Sequence, residues 1–392
     1  MIDFSNTEIA FKVKSNRELK NARFLFSMIK HPWLVKCLGG LSNFALKIHF
    51  PIGWIIKPTL YRHFVGGETI EESVPTAEKL FKYKVYSLFD YSVEAATSEK
   101  AMDATAAEIH RSIDFGAKHE YIPYTVFKPS ALASMEVLEK ISEGKEVDAE
   151  TQAAYDRFVE RVDKLCAAAK ESGKPIMIDA EDYSIQKAID DVTEQMMAKY
   201  NTKDIAYVFN TLQMYRTDRI DYLKRLIEIS KRDGYVMGCK YVRGAYMEKE
   251  RERAAKGGYP SPIFPTKEGT DNSYNEALRL SVENIENIHI FNGTHNEISV
   301  QTLIDLIDKH NLPKDDKRIF FSQLYGMSDN LSFNTAAAGY NVVKYLPYGI
   351  IRNVLPYLVR RAEENTAIAG QTTRELLLIK TEVKRRKAAK KK

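Results

Sequence analysis

Cysteine is scarce in this chain. The three residues, Cys37, Cys166 and Cys239, are far apart, odd in number and without a CxxC, so neither a disulfide framework nor a cysteine zinc site is indicated, and a reducing compartment fits. Long apolar runs are missing too, since none reaches the roughly 18 residues of a membrane span. The opening MIDFSNTEIAFKVK lacks the apolar stretch of a signal peptide and the Arg/Ser-rich character of a transit peptide, so the expected location is the cytoplasm. No GxGxxG follows a first strand and no GxxxxGK[ST] occurs, which leaves out the dinucleotide fingerprint and the P-loop. HExxH, a GxSxG elbow and a His/carboxylate triplet at metal spacing are also lacking, so no metal is expected. Charge of one sign is in excess only at the end. Lys384–Lys392 carries seven positive charges of a net +5, leaving −2 on the rest. Seven cations in nine residues suit phosphates, but no aromatics are interleaved, so a basic-tailed nucleic-acid binder is the weaker reading. A solvated, mobile terminus is expected, with peripheral contact to anionic lipid at the inner face of a membrane as its role.

With 392 residues, 44% hydrophobic and 28% charged, the chain can bury a large core. Residues 1–80 show helical periodicity, with Leu19, Phe24, Leu25, Met28 and Ile29 early and a cluster of Phe50, Trp54, Ile55 and Ile56 later. This reads as an N-terminal helical arm whose apolar cluster packs onto the main domain, membrane contact being the lesser alternative. From Tyr83 the rhythm changes. Strands are expected at Lys84–Phe89, Tyr124–Lys128, Pro175–Ile178, Ile205–Phe209, Val236–Val242, His289–Phe291, Arg318–Ser322 and Asn341–Tyr345. Amphipathic helical stretches lie between most of them. Eight β/α units match an α/β fold of the (β/α)8 TIM-barrel type, which typically takes about 250 residues. The expected organisation is an arm over 1–80, a barrel over 81–370 with a C-terminal helix over its mouth, and a basic tail over 371–392.

Polar residues stand just after the apolar centre of each expected strand, at the end that barrel enzymes use. In order they are Asp90 with Glu94, Lys128, Asp179 with Glu181 and Asp182, Gln213, Lys240 with Arg243, Thr294-His295-Asn296, Gln323, and Tyr345. Each alone has an ordinary structural reading as a cap, a strand end or a satisfied core polar group. Eight in register do not. Met247 to Ser273 is too long for a routine βα connection and reads as a flap over a ligand.

The stretch Tyr345 to Asn365 carries the densest chemistry. It opens β-rich, turns at Pro347-Tyr348-Gly349 and enters a helix from about Asn353, placing Tyr357, Arg360, Arg361 and Glu364 at i, i+3, i+4, i+7. Two guanidiniums beside apolar Leu355, Leu358 and Val359 need an anionic partner and suit bidentate capture of a carboxylate or phosphate. The competing reading is a solvated helix face with an Arg–Glu pair.

Taken together, FDYSVEAA, VFKPSAL, MIDAED, NTLQMYR, KYVRGAYMEKER, the Thr266-Lys267 and Asp271 pattern, THN, QLYGM and YLPYG followed by PYLVRRAEEN resemble proline dehydrogenase. That family consists of FAD-dependent barrel enzymes that oxidise proline to Δ1-pyrroline-5-carboxylate. The resemblance spans roughly Tyr83 to Thr366, one motif per βα unit, and is to the stand-alone form. It implies that Arg360 and Arg361 bind the proline carboxylate with Lys128 beside them, that Tyr357 and Leu324 pack the ring, and that Tyr345 lies against its far carbon. Asp90 would be a substrate-side acid and Glu94 a gate partner of Arg360. Asp179, Gln213, Val242, Arg243, Gly244, Ala245, Thr266, Lys267, Thr294, His295, Asn296 and Gln323 fall at flavin positions. Lys240 falls near flavin N5, where some members carry Arg, and Glu364 near the ribityl or substrate side. Met247 stands where others have Trp. A quinone is the implied electron acceptor, and a related flavin barrel oxidising hydroxyproline is the nearest rival.

Overall fold

The computed structural model describes residues 2–31, 57–93, 96–367 and 371–390. Glu94, Cys37, the cluster of Phe50, Trp54, Ile55 and Ile56, and the side chain of Glu364 lie outside the described residues. Eight parallel strands close into a barrel in sequence order: β1 (Val85–Tyr91), β2 (Thr125–Phe127), β3 (Ile176–Ile178), β4 (Val208–Gln213), β5 (Met237–Val242), β6 (Ile288–Gly293), β7 (Ile319–Leu324) and β8 (Val342–Tyr348). Their residues are buried on both faces rather than alternately, as strands covered on both sides require, and β2, β3, β4 and β8 are buried at every position. The chain divides into two compact units, Val93–Ser322 and Met1–Ser92 with Gln323–Lys392.

The Val93–Ser322 unit holds β2 to β6, most of β7 and the helices that follow β2 to β6. Tyr124, just ahead of β2, makes edge-on contacts with Phe209, Phe291 and Phe320 at 5.1–5.4 Å, each such pair contributing about 0.5–1.5 kcal/mol beyond its buried area. The helices carry their own start and stop signals. Ser98 caps one over Glu99–Lys118, Asp148 caps one over Ala149–Ser172, and left-handed Gly173 ends the second. β4 begins three residues later than the sequence suggests. Asn201 takes the Tyr207 and Val208 amides on its side-chain oxygen and gives its amide to the Val208 and Val236 carbonyls, so Ile205 belongs to a turn. The stretch from Met247 to Ser273 is also revised. It forms a helix over Met247–Gly257 and the start of another over Lys267–Glu283, leaving only 258–266 irregular rather than a long flap. The first of these escapes periodicity analysis because EKERERAAK has almost no apolar stripe; only Glu250 and Ala254 are buried.

The other unit joins both ends of the chain. Helices α1 (Thr7–Ala10) and α2 (Asn16–Ile29), a helix over Ile70–Phe81, strands β1 and β8, and helices over Asp329–Ala337, Ile351–Ala367 and Gln371–Ala389 belong to it. β1 and β8 pair from Val85↔Val342 to Tyr91↔Tyr348. That extends β8 through Pro347-Tyr348, where a turn was expected. Pro347 has no N–H to give, yet its carbonyl accepts the Gly66 amide at 2.8 Å and Gly349 donates to the Gly67 carbonyl at 3.0 Å, so a neighbouring segment completes the strand end. Among the described residues, the C-terminal basic run as far as Ala389 is helical rather than a free tail. It ends the Gln371–Ala389 helix, whose Leu376 and Ile379 pack with Leu19, Ala22 and Phe26 of α2. Arg385 and Arg386 grip buried Glu382, and Arg386 also donates to the Phe11 and Lys14 carbonyls. No helix among the described residues is long and apolar enough to cross a membrane.

Candidate active site

In the Val93–Ser322 unit the strand ends bring cations and carboxylates together. Asp179, directly after β3, accepts from Lys128 Nζ after β2 at 3.2 Å and from Lys240 Nζ on β5 at 2.5 Å. All three are largely buried, with side-chain exposures of 13%, 11% and 6%. Two ammoniums thus share one carboxylate at this end of the strands, and fixed cations of this kind suit an electron-rich ligand. One layer out, Glu181 accepts from the Ser130 amide at 2.7 Å and its hydroxyl at 2.6 Å, and Gln213 donates to the Glu181 carbonyl at 3.0 Å. The other end of the Gln213 amide, Oε1, is a buried acceptor with no hydrogen-bond partner. Such an orphan is costly unless a ligand N–H meets it, and the imide N–H of a flavin is of that kind, so the residues fit an isoalloxazine.

The β4–β5 ladder continues past both strands. Gln213 pairs with Val242, Met214 donates to the Val242 carbonyl and Tyr215 to that of Arg243, which puts Gln213, Val242 and Arg243 side by side. Gly244 follows at φ +123°, and a Cβ there would come within 2.5 Å of the Tyr215 ring, so only glycine allows this close approach. Arg243 is fixed from three sides by Asp271, Thr294 Oγ1 and Ser299 Oγ, with its guanidinium 4.5 Å from the Tyr274 ring centroid. Burial pushes Asp271 up, but the bonds from Lys267 and Arg243 outweigh it and hold the carboxyl below its usual range. Thr266 and Asn296 each cap a helix, bonding the Gly269 and Ser299 amides, and Thr266 and Lys267 are exposed. Ala245 is exposed and His295 half-buried. Glu181 stands among the polar residues that follow the expected strands but was given no role of its own, and Ser130, Asp271 and Ser299 were not singled out as site residues. Ser130 and Asp271 do lie inside the motifs that carry the resemblance, but only contact shows whom they hold.

In the other unit, Asp90 at the end of β1 is 1% exposed and accepts from Ser92 Oγ at 3.3 Å. Tyr345 on β8 is buried, and its carbonyl accepts the Tyr325 amide at 2.9 Å. Gln323 accepts from Ser332 Oγ at 2.7 Å. The Ile351–Ala367 helix begins two residues earlier than expected and buries Leu355, Tyr357 and Leu358 in one apolar cluster, against which Leu324 and Val359 pack. Arg361, 8% exposed, lies with its guanidinium 5.3 Å from the Tyr357 ring centroid, while Arg360 is half-buried. The structure therefore brings Tyr357, Leu324 and Arg361 to one apolar wall. Lys128 belongs to the first unit, and the proposed partners of Arg360 and Arg361 are assigned by resemblance alone.

The proline dehydrogenase family model matches residues 73–374. The chain is 34% identical over 323 residues to the carbapenem antibiotics biosynthesis protein CarD of Pectobacterium carotovorum subsp. carotovorum, covering 82% of this chain and 83% of that one. It is 31% identical over 380 residues to the mitochondrial proline dehydrogenase 1 of Dictyostelium discoideum, covering 86% of this chain and 66% of that one. Its fold matches a crystal structure of proline utilization A from Bdellovibrio bacteriovorus inactivated by N-propargylglycine, with a TM-score of 0.72 at 22% identity over 92% of this chain, which spans 38% of that larger protein.

Proposed function

The chain belongs to the proline dehydrogenase family, and from that premise we propose that its barrel oxidises L-proline to Δ1-pyrroline-5-carboxylate with FAD as cofactor. The observation that supports this best is the wall of Arg361, Tyr357 and Leu324. A buried guanidinium beside an apolar surface suits a small molecule with a carboxylate at one end and a saturated ring at the other.

Arg361 and Arg360 bind the carboxylate. Leu324, Tyr357 and Tyr345 take the ring, orient its α-carbon and exclude water. Asp90, buried at the end of β1, is the acid on the substrate side. FAD, when bound, supplies the acceptor for a hydride from the carbon next to the ring nitrogen. Gln213, Lys240, Asp179, Val242, Arg243, Gly244, Ala245, Thr294, His295, Asn296 and Gln323 hold that cofactor, with Thr266 and Lys267 at its outer end and Glu364 near the substrate side. Lys240 and Lys128 contribute fixed positive charge and need not exchange protons. Electrons pass to a quinone. The exposed cations Lys384, Lys387 and Lys390 give the otherwise cytoplasmic protein peripheral contact with anionic lipid at the membrane's inner face.

The test is an anaerobic absorbance titration of the purified protein with a panel of cyclic amino acids. A yellow protein that bleaches with proline at the lowest concentration is expected. A colourless protein, or a flavin spectrum that proline leaves unchanged, would overturn the assignment.

A further inference from the structure

The turn Leu324–Ser328, which follows the end of β7, is held in an unfavourable backbone conformation. Ser328 has φ +48° without being glycine, and Gly326 sits at φ +80°, where a Cβ would lie 2.4 Å from the His63 carbonyl. Such conformations cost about 1–3 kcal/mol and persist only where the surroundings over-determine them. Here the restraints come from distant parts of the chain. Lys344 of β8, with no exposed surface, points its ammonium at the Met327 carbonyl (2.5 Å), the Leu324 carbonyl (3.3 Å) and Asp329 Oδ1 (3.0 Å), which uses all three donors. Lys14, between α1 and α2, meets Asp329 Oδ2 at 3.0 Å. His63 Nε2 donates to the Gly326 carbonyl at 2.9 Å. Glu375, on the last helix, accepts the Ser328 amide. The Tyr325 amide is taken by the Tyr345 carbonyl.

We propose that Glu375 and Lys344 are positioning residues that fix the Leu324–Ser328 turn and, through it, the placement of Leu324 and Gln323 for substrate. This rests on the reading of Leu324 as part of the wall that takes the proline ring. Glu375 gives the Ser328 amide a buried acceptor, and Lys344 ties both ends of the turn to the strand that carries Tyr345. The C-terminal helix thereby reaches the site from outside the barrel's βα units, and no direct contact with a ligand is required of it.

Two readouts on the full-length holoprotein test this. Amide hydrogen exchange over the turn reports on its conformation without reference to any reaction. Glu375→Ala is expected to lose protection there by about tenfold or more, because the buried hydrogen bond to the Ser328 amide is removed, and Glu375→Gln, which keeps a carbonyl, is expected to restore it. Proline titrations should show half-saturation rising about tenfold in Glu375→Ala, returning to within about twofold in Glu375→Gln, with maximal bleaching rate changing less than half-saturation. If Glu375→Ala does not fold, Lys344→Arg provides the second variant. It keeps the charge but cannot place three donors in the same geometry, and it should loosen the turn and raise half-saturation while FAD stays bound. Unchanged exchange in the variant that folds, or a Gln variant as impaired as the Ala variant, overturns the proposal. Altered exchange with no response of the wild type to proline would instead locate the failure in the assigned reaction.

Discussion

The two compact units hold their site residues in different ways. In Val93–Ser322 the cluster is built from Lys128 and Asp179, directly after β2 and β3, and Lys240 on β5, strands that the repeating βα pattern already defines. In the other unit, the residues around Leu324 depend on Lys14, His63, Lys344 and Glu375, which lie as many as 361 positions apart in the sequence. A regular repeat places side chains through local geometry, whereas joining two chain ends places them through buried charge. Ion pairs of the second kind gain specificity more surely than stability, because each charge is costly to desolvate.

The largest effect expected of the first arrangement is on Asp179→Ala. It leaves two largely buried ammoniums without their shared carboxylate, so stability should fall by about 3–5 kcal/mol in urea unfolding, with flavin content reduced. Because the Leu324–Ser328 turn is held by Lys14, His63, Lys344 and Glu375 instead, exchange over it should stay as in the wild type. A loss under about 1 kcal/mol, or a turn that loosens as well, would break the comparison.

Arg361→Met probes the apolar wall of the second unit. Removal of a charge-assisted carboxylate contact worth about 1.5–3 kcal/mol should raise proline half-saturation roughly 10- to 150-fold, with FAD per chain unchanged. Equal half-saturation in mutant and wild type would remove the carboxylate assignment, and loss of FAD would move Arg361 to the cofactor.

Tyr345 sharpens the contrast further, since specificity is assigned to the second unit. On the proposed placement of this buried phenol against the far carbon of the ring there is no room for a hydroxyl, so kcat/KM should favour proline over trans-4-hydroxyproline by roughly 10- to 200-fold. Tyr345→Ser should narrow that ratio. An unmoved ratio would make the tyrosine a packing residue only.

A pH dependence is peculiar to the unit that joins the chain ends. Burial, and then the charge of Asp329, push Glu375 up to about 7 from 4.5, against the Ser328 amide, Lys344 and Lys14. Because the fold favours the protonated form, this contribution is complete below pH 4.5 and is lost as pH rises through about 7. Asp329 itself is held well below the usual carboxylate range, since Lys14 and Lys344 outweigh its burial, and so titrates outside this window. The stability difference between wild type and Glu375→Gln should therefore shift against the wild type between pH 5 and 7.5. A difference independent of pH would show that Glu375 does not titrate there.

By itself the sequence determined the barrel and the order of its site residues. Apolar runs spaced by amphipathic helices can bury themselves in few ways, and a polar residue after each run falls at the same end of the sheet whatever the exact boundaries. Strand ends were less legible. Whether Ile205 or Val208 opens β4 is settled by the side chain of Asn201, and whether β8 stops at Tyr345 or Tyr348 by the amides of Gly66 and Gly349. The charged helix over Met247–Gly257 left no periodic trace because almost none of it is buried. Only the tertiary structure decided the meaning of the chain ends. The basic run that reads as solvated is anchored by Arg385 and Arg386 to Glu382 and the Phe11 and Lys14 carbonyls, and Lys344, Asp329, Lys14 and Glu375 share one buried cluster. Periodicity reports which face of an element is apolar. Which buried charge meets which depends on contacts between residues hundreds of positions apart, and no local pattern encodes them.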